Sequence, residues 1–246
     1  MEFLSNNLIN TTTQIAVDSA TDLSVYLYDK NPSVKYVSEG YGGATATTIS
    51  ISFTAATVVS NVLIQNHNLS NFEIYYNGTT TNSLFSVITN TITSTYVSFA
   101  SMTVNSIHLK MDRTISTTEK QVGELVISEK KLDFERLPDI KGYKPVTNRT
   151  QVNHRMPDGG FVPFFIKDKF QMALKWKFLS KDFKNDLWGL FRDGKSLYFV
   201  ENNTTTSWDG LAYNINLIGD FDFNESHNVS DEGFSGSLML KEVSSG

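Results

Sequence analysis

Cysteine is absent from these 246 residues, which excludes disulfide frameworks, thiolate metal sites and cysteine nucleophiles together. Proline is scarce at 5 and glycine modest at 15, so the chain is neither collagen-like nor of low complexity. No apolar run approaches the roughly 18 residues that a membrane-spanning helix needs. The opening Met1-Glu2-Phe3-Leu4-Ser5-Asn6-Asn7 has an early acid and no long apolar stretch, so it does not read as a signal peptide. Basic charge is in deficit, and a net charge of −5 argues against a dedicated nucleic-acid binder. What remains is a globular composition, 40% hydrophobic and 12% aromatic, long enough for one large β domain or two ordinary ones. A soluble protein is the expectation. Asn-x-Ser/Thr triplets at Asn10, Asn68, Asn77, Asn148, Asn203 and Asn228 arise by chance in a chain this rich in those residues.

Charge density divides the chain. Residues 1–130 hold 6 Lys/Arg and 10 Asp/Glu, whereas residues 131–246 hold 15 and 16 and all three Trp. Leu137-Pro138-Asp139-Ile140-Lys141-Gly142-Tyr143-Lys144-Pro145 is punctuated like a connector. Two domains are predicted, 1–131 and 132–246, with no internal repeat.

The first reads as strands. Ile49, Ile51 and Phe53 alternate with serines, and Phe72, Ile74 and Tyr76 alternate into the turn signal Asn77-Gly78. Val97 with Phe99, then Ile107, Leu109 and Met111, then Leu125-Val126-Ile127 complete a pattern of many short strands, a β-sandwich or jelly roll. In the second, Phe170, Met172, Leu174, Trp176 and Phe178 alternate with polar residues or alanine as one strand. A helix over 181–192 follows: Ser180 is an N-cap, Asp182 suits the helix start, and Phe183, Leu187, Leu190 and Phe191 share a face. Asp193-Gly194 ends it. Strands resume at Leu197–Val200, at Leu211–Ile218 with Leu211, Tyr213, Ile215 and Leu217 inward, and at Phe234–Val243. The fold class is mainly β: a jelly-roll sandwich, then a small β-barrel or sandwich with one amphipathic helix.

Chemistry is thinly marked. His67, His108, His154 and His227 are far apart without metal-ligand spacing, and His108, between apolar neighbours on a strand, is expected to face solvent. No Gly-x-Ser-x-Gly elbow or phosphate-binding glycine loop occurs; Gly40-Tyr41-Gly42-Gly43 and Asp158-Gly159-Gly160 are turns. Asp220-Phe221-Asp222-Phe223-Asn224 fails as a calcium loop, because Glu225 stands where glycine is required and Asp231 where glutamate is. It reads as a strand end with Phe221 and Phe223 inward. No carboxylate pair stands out for glycoside hydrolysis. Residues 131–195 balance to +6 and residues 196–246 to −7. Either solvated faces happen to differ, or opposite charges meet between neighbouring copies or line a pore.

Tyr28-Asp29-Lys30-Asn31-Pro32-Ser33-Val34-Lys35-Tyr36, Ile64-Gln65-Asn66-His67-Asn68 and Gly123-Glu124-Leu125 make the first half resemble galactose-binding, discoidin-type jelly rolls of carbohydrate-binding modules. Val34 and Tyr36 depart from that family's usual Thr and Trp. The resemblance implies a ligand at the loops but carries over no contact residue; by their chemistry Tyr41 as aromatic platform and Asn66 and His67 as hydrogen-bond partners suit a sugar, with burial or loop packing the other reading of each. In calcium-bearing relatives it would place the ion at Asp29, Asn31 and Glu124. No cofactor or catalytic residue is expected. The second half, by its order of strand, helix and strands ending in Gly236-Ser237-Leu238-Met239-Leu240-Lys241-Glu242-Val243, resembles phage tail-tube and distal tail proteins.

Together these imply a non-catalytic structural component of a phage tail near the baseplate, located in the virion and assembled in a bacterial cytoplasm. Its partners would be further copies of itself in a ring, neighbouring tail proteins and a host surface glycan. The acidic face with Asp220, Asp222 and Asp231 would line the lumen, since negative charge repels passing DNA. A free-standing carbohydrate-binding lectin or adhesin is the alternative, and a glycan-active enzyme with an accessory module a third reading.

Overall fold

The computed structural model describes residues 1–10, 12–78, 81–116, 118–139, 144–157, 160–201, 212–225 and 232–243; along 144–154, 161–170 and at 232 it describes the backbone alone. Expectations resting on Asn203, Asn228, Asp158, Gly159, Leu211, His227, Asp231 and residues 140–143, and on the side chains of Asn148, His154 and Phe170, lie outside the described residues. In chain order the strands are β1 (Glu2–Leu4), β2 (Gln14–Val17), β3 (Tyr36–Val37), β4 (Thr47–Gln65), β5 (Leu69–Tyr76), β6 (Ser83–Val87), β7 (Thr95–Thr114), β8 (Gln121–Val122), β9 (Glu124–Ser128), β10 (Lys130–Asp133), β11 (Lys144–Arg155), β12 (Phe161–Ser180), β13 (Leu197–Val200), β14 (Ala212–Glu225) and β15 (Glu232–Glu242). One helix, α1 (Lys181–Asp193), follows β12, and a 3-10 segment spans Thr21–Leu27. The protein is mainly β, with antiparallel sheets and one short helix. No helix among the described residues is long and apolar enough to cross a membrane.

Two compact units emerge. The first is Met1–Lys131 together with Val200 and Ala212 from later in the chain; the second is Leu132–Phe199 with the chain from Tyr213 onward. In the first unit the strands lie in the order β2-β4-β7-β5-β6, with β9 also paired to β4 and β3 to β8. Register explains the core: Ile49 pairs with Leu109, which pairs with Ile74, and Ile51 with Ile107, so the period-2 apolar sets land on one face. Leu69, Phe72, Met111, Leu125 and Ile127 fill the same core.

His108 corrects an expectation. It does lie on the face opposite Ile107 and Leu109, yet it is buried, because Ser50 and Tyr75 flank it on the neighbouring strands. Its Nδ1 meets Ser50 Oγ and its Nε2 meets Ser106 Oγ, each at 2.9 Å, and burial lowers its pKa. The same sheet face carries Glu73, Lys110 and Asp112, with Lys110 Nζ 3.9 Å from Glu73 and 3.4 Å from Asp112. Glu73 accepts the Tyr75 hydroxyl, a bond that pushes Tyr75 up to about 12.

In the second unit five strands lie in the order β13-β14-β15-β12-β11. Trp176, Gly236 and Phe223 share a row facing the core, and a Cβ on Gly236 would stand 2.3 Å from Asp222 O and 2.6 Å from the Phe223 ring. Glycine is required there by close approach. Phe134 meets Trp176 and Phe183 edge-on at 5.4 and 6.1 Å, and the Trp176 indole donates to Arg136 O. Helix α1 forms as its sequence dictates: Ser180 Oγ accepts from Phe183 N–H at 3.1 Å, and Gly194 ends it in the left-handed region at φ 60°.

Three expectations are corrected here. Phe178 does not continue the inward series: a bulge between Trp176 and Leu179 shifts the phase, leaving Phe178 45% exposed at φ 59° and Leu179 fully buried. The described start of the expected connector, Leu137–Asp139, is not free, since Asp139 N–H donates to Lys175 O at 2.7 Å and its carboxylate lies 3.7 Å from Lys177 Nζ. At Asp222 the acidic block does not stand alone on its sheet face either. Lys175, Ser237 and Asp222 are cross-strand partners and so share one sheet face, which mixes both signs.

Candidate ligand-binding site

Loops of the first unit converge on the segment 114–123. The β4–β5 corner is the hub. Asn66 takes φ 50°, a conformation that asparagine tolerates better than most residues, and its Nδ2 donates to Pro32 O at 2.8 Å. Gly123 lies against the same carbonyl: a Cβ there would stand 2.3 Å from Pro32 O and 2.9 Å from the Asn66 side chain. Asn68 ties the corner to the next loop, with Nδ2 donating to Glu119 O and Oδ1 accepting from Gln121 N–H, each at 2.8 Å.

His67 is 1% exposed, and both ring nitrogens meet partners of the fold. Nδ1 accepts the Leu69 N–H at 3.1 Å, which leaves the proton on Nε2, 3.0 Å from Thr95 Oγ1. Burial, helped by the nearby Lys35 charge, lowers its pKa to about 4, so at neutral pH it is an uncharged strut. The structure therefore places Asn66 and His67 side by side as braces of the corner. Tyr41 is half-buried on the 38–46 loop.

That loop is held from beneath by Lys120, which no sequence pattern marked. Lys120 is fully buried; its ammonium donates to Gly42 O at 3.1 Å and to Thr45 O. Its own N–H donates to Ser38 Oγ at 3.1 Å, and Gly40 N–H donates to Glu119 Oε1 at 2.8 Å. Burial lowers the Lys120 pKa, with Asp112 opposing the shift. A tethered cation thus organises a glycine-rich loop through its carbonyls.

At the rim Lys35 Nζ lies 3.4 Å from Gln121 Oε1, next to Asn68 and Glu119. Ammonium and amides so spaced can both donate to and accept from a polyhydroxylated ligand. The implied calcium residues have these surroundings. Asp29 Oδ1 accepts the Asn31 N–H at 2.8 Å, burial raises the Asp29 pKa, and Glu124 is buried on β9 opposite Gln65. Among the described residues no group of three or more His, Asp or Glu is arranged to hold a metal.

No protein-family model matches the chain, and no curated protein matches it. Among solved structures it is similar to chitosan-binding module 1 of a chitosanase/glucanase from Paenibacillus sp. IK-5, at 13% identity over 50% of this chain and 95% of that one, TM-score 0.40. Chitosan-binding module 2 of the same enzyme, in complex with chitotriose, is similar at 14% identity over 50% and 96%, TM-score 0.41. A fucosidase of Ruminococcus gnavus in complex with fucose is similar at 17% identity over 53% of this chain but 28% of its own, TM-score 0.44. Half of the chain is thus similar in backbone path to solved carbohydrate-binding modules.

Proposed function

We propose that this is a non-catalytic carbohydrate-binding protein whose first unit recognises a glycan at its loop end. The observation that carries the reading is the Lys35–Gln121–Asn68 rim, mounted on a corner that Asn66, His67 and buried Lys120 make rigid. Binding residues on loops held by a rigid scaffold lose little entropy on meeting a ligand. Tyr41, half-buried on the loop that Lys120 holds, supplies an aromatic edge. Glycan-array binding of the full chain tests this. Lys35→Ala and Gln121→Ala are expected to weaken the best hit by about tenfold each, the worth of one or two lost polar contacts, with circular dichroism unchanged. An array without hits, or variants that bind like the parent, would overturn it.

A second reading, a virion tail component that assembles through its second unit, is favoured by one feature. Among the described residues, 161–169 of β12 pair with β11 alone, whereas from Gln171 onward β12 is also paired to β15. The β11–β12 pair therefore continues beyond the sheet as a two-stranded ribbon among the described residues. An isolated ribbon of this kind is marginal in water. Its sequence Phe161-Val162-Pro163-Phe164-Phe165-Ile166 is apolar throughout, and a neighbouring copy would cover it.

A further inference from the structure

Helix α1 buries Phe183 and Leu187 but leaves Trp188 44% exposed. That tryptophan is not loose. Phe191 stacks on it at 5.8 Å and 20°, and Phe221 meets it edge-on at 5.0 Å. Phe221 in turn lies 4.5 Å from Phe223, which packs on buried Trp176. Phe221 sits in the irregular stretch of β14 between Ile218 and Asp222, where Gly219 takes φ 82°. Trp188, Phe221 and Phe223, with Lys184 and Asn185, line a cleft of about 450 Å³.

Gly189 is the second, independent observation. Glycine is among the least favourable residues inside a helix, and here packing does not demand it: nothing lies within 4 Å of where its Cβ would stand. Asn185, Trp188 and Gly189 occupy i, i+3 and i+4, and Lys184 and Trp188 occupy i and i+4, so the four form one contiguous patch of helix surface. A braced indole beside a bare stretch of backbone, rimmed by an amide and an ammonium, matches a flat ring carrying hydroxyls. We infer that this cleft, with the bare helix surface at Gly189 beside it, is a second saccharide site, which takes a hexopyranose unit laid against Trp188 and over Gly189. The Lys184 ammonium, 4.3 Å over the Phe234 ring, is held at the rim, where it can donate to a hydroxyl. The cleft's size suits one or two sugar rings, and the pre-ordered aromatics leave little side-chain freedom to be lost on binding.

The test titrates the full chain with cellotriose, mannotriose and galactotriose, followed by tryptophan emission and calorimetry. A saturable change with at least one probe is expected, weakened at least tenfold by Trp188→Ala. Gly189→Ala gives the sharper outcome: it should raise Tm by a few degrees, as an alanine in a helix does, yet weaken binding at least threefold. Lys35→Ala should leave this titration unchanged, so failure here and failure of the loop-end site are told apart. The inference is overturned if no probe binds, or if Trp188→Ala or Gly189→Ala binds like the parent. It is also overturned if sedimentation shows that Trp188→Ala instead dissociates an oligomer.

Discussion

His67 shows how far a single residue's role departs from its apparent chemistry. An imidazole beside two amides in a loop reads either as a ligand contact or as loop packing, and the sequence alone does not choose between them. What decides is tertiary: β4 and β5 turn so tightly at Asn66–Asn68 that the ring lies edge-on to Phe72 at 5.5 Å, with 1% of it exposed. The consequence is measurable. A histidine whose pKa is about 4 when folded and 6.5 when unfolded must take up a proton as the chain unfolds in that interval. Its contribution is therefore complete above pH 6.5 and is lost as pH falls toward 4, by on the order of 3 kcal/mol. Urea midpoints should fall over that window, and His67→Gln should flatten the dependence, with His108 leaving a smaller slope of the same sign. A parent protein whose stability is level from pH 6.5 to 4 would show that the ring is not buried uncharged.

Elements were more legible than residues, for a physical reason. Helix α1 is specified locally by a cap, a dipole-suited first turn and an apolar stripe, so its limits could be read within a residue. The strands of the first unit were legible because period-2 alternation in β4, β5 and β7 is long enough to average over exceptions. Bulges were not, since an extra residue changes phase without changing composition. Phe178 is the clearest case: its neighbours alternate correctly up to Trp176, and only the pairing to β15 shows the slip. An aromatic residue at φ 59° is strained, and at 45% exposure its ring gains little from burial. Phe178→Gly should therefore raise stability by about 1 kcal/mol, read as a higher Tm. A loss of similar size would mean that the ring itself packs against something that matters.

For the whole molecule, composition had suggested charge segregated into faces, and the sheet of the second unit mixes the signs where the two blocks meet. The strands β13, β14 and β15 lie side by side and join the 131–195 block at β15–β12, where Lys175 and Asp222 share a face across Ser237. An acidic lumen is therefore a poor basis for the assembly reading, which now rests on the β11–β12 ribbon. Register places Val152, His154, Val162 and Phe164 on one of its faces, and Gln151, Asn153, Arg155, Phe161, Pro163 and Phe165 on the other. Apolar residues thus stand on both, and a two-stranded ribbon of this kind is marginal in water without a further layer. If copies of this chain supply that layer, the solution mass will be a multiple of 27.6 kDa and will depend on concentration. Phe164→Glu with Phe165→Glu charges both faces while keeping the backbone pairing, and it should return the mass to that of one chain with the circular dichroism of the parent. Because these substitutions lie outside the loop-end rim and the Trp188 cleft, glycan binding should survive in the single chain, weakened only on multivalent surfaces where several copies bind together. A parent protein that is one chain at tens of micromolar would remove the tail reading and leave the binding protein standing.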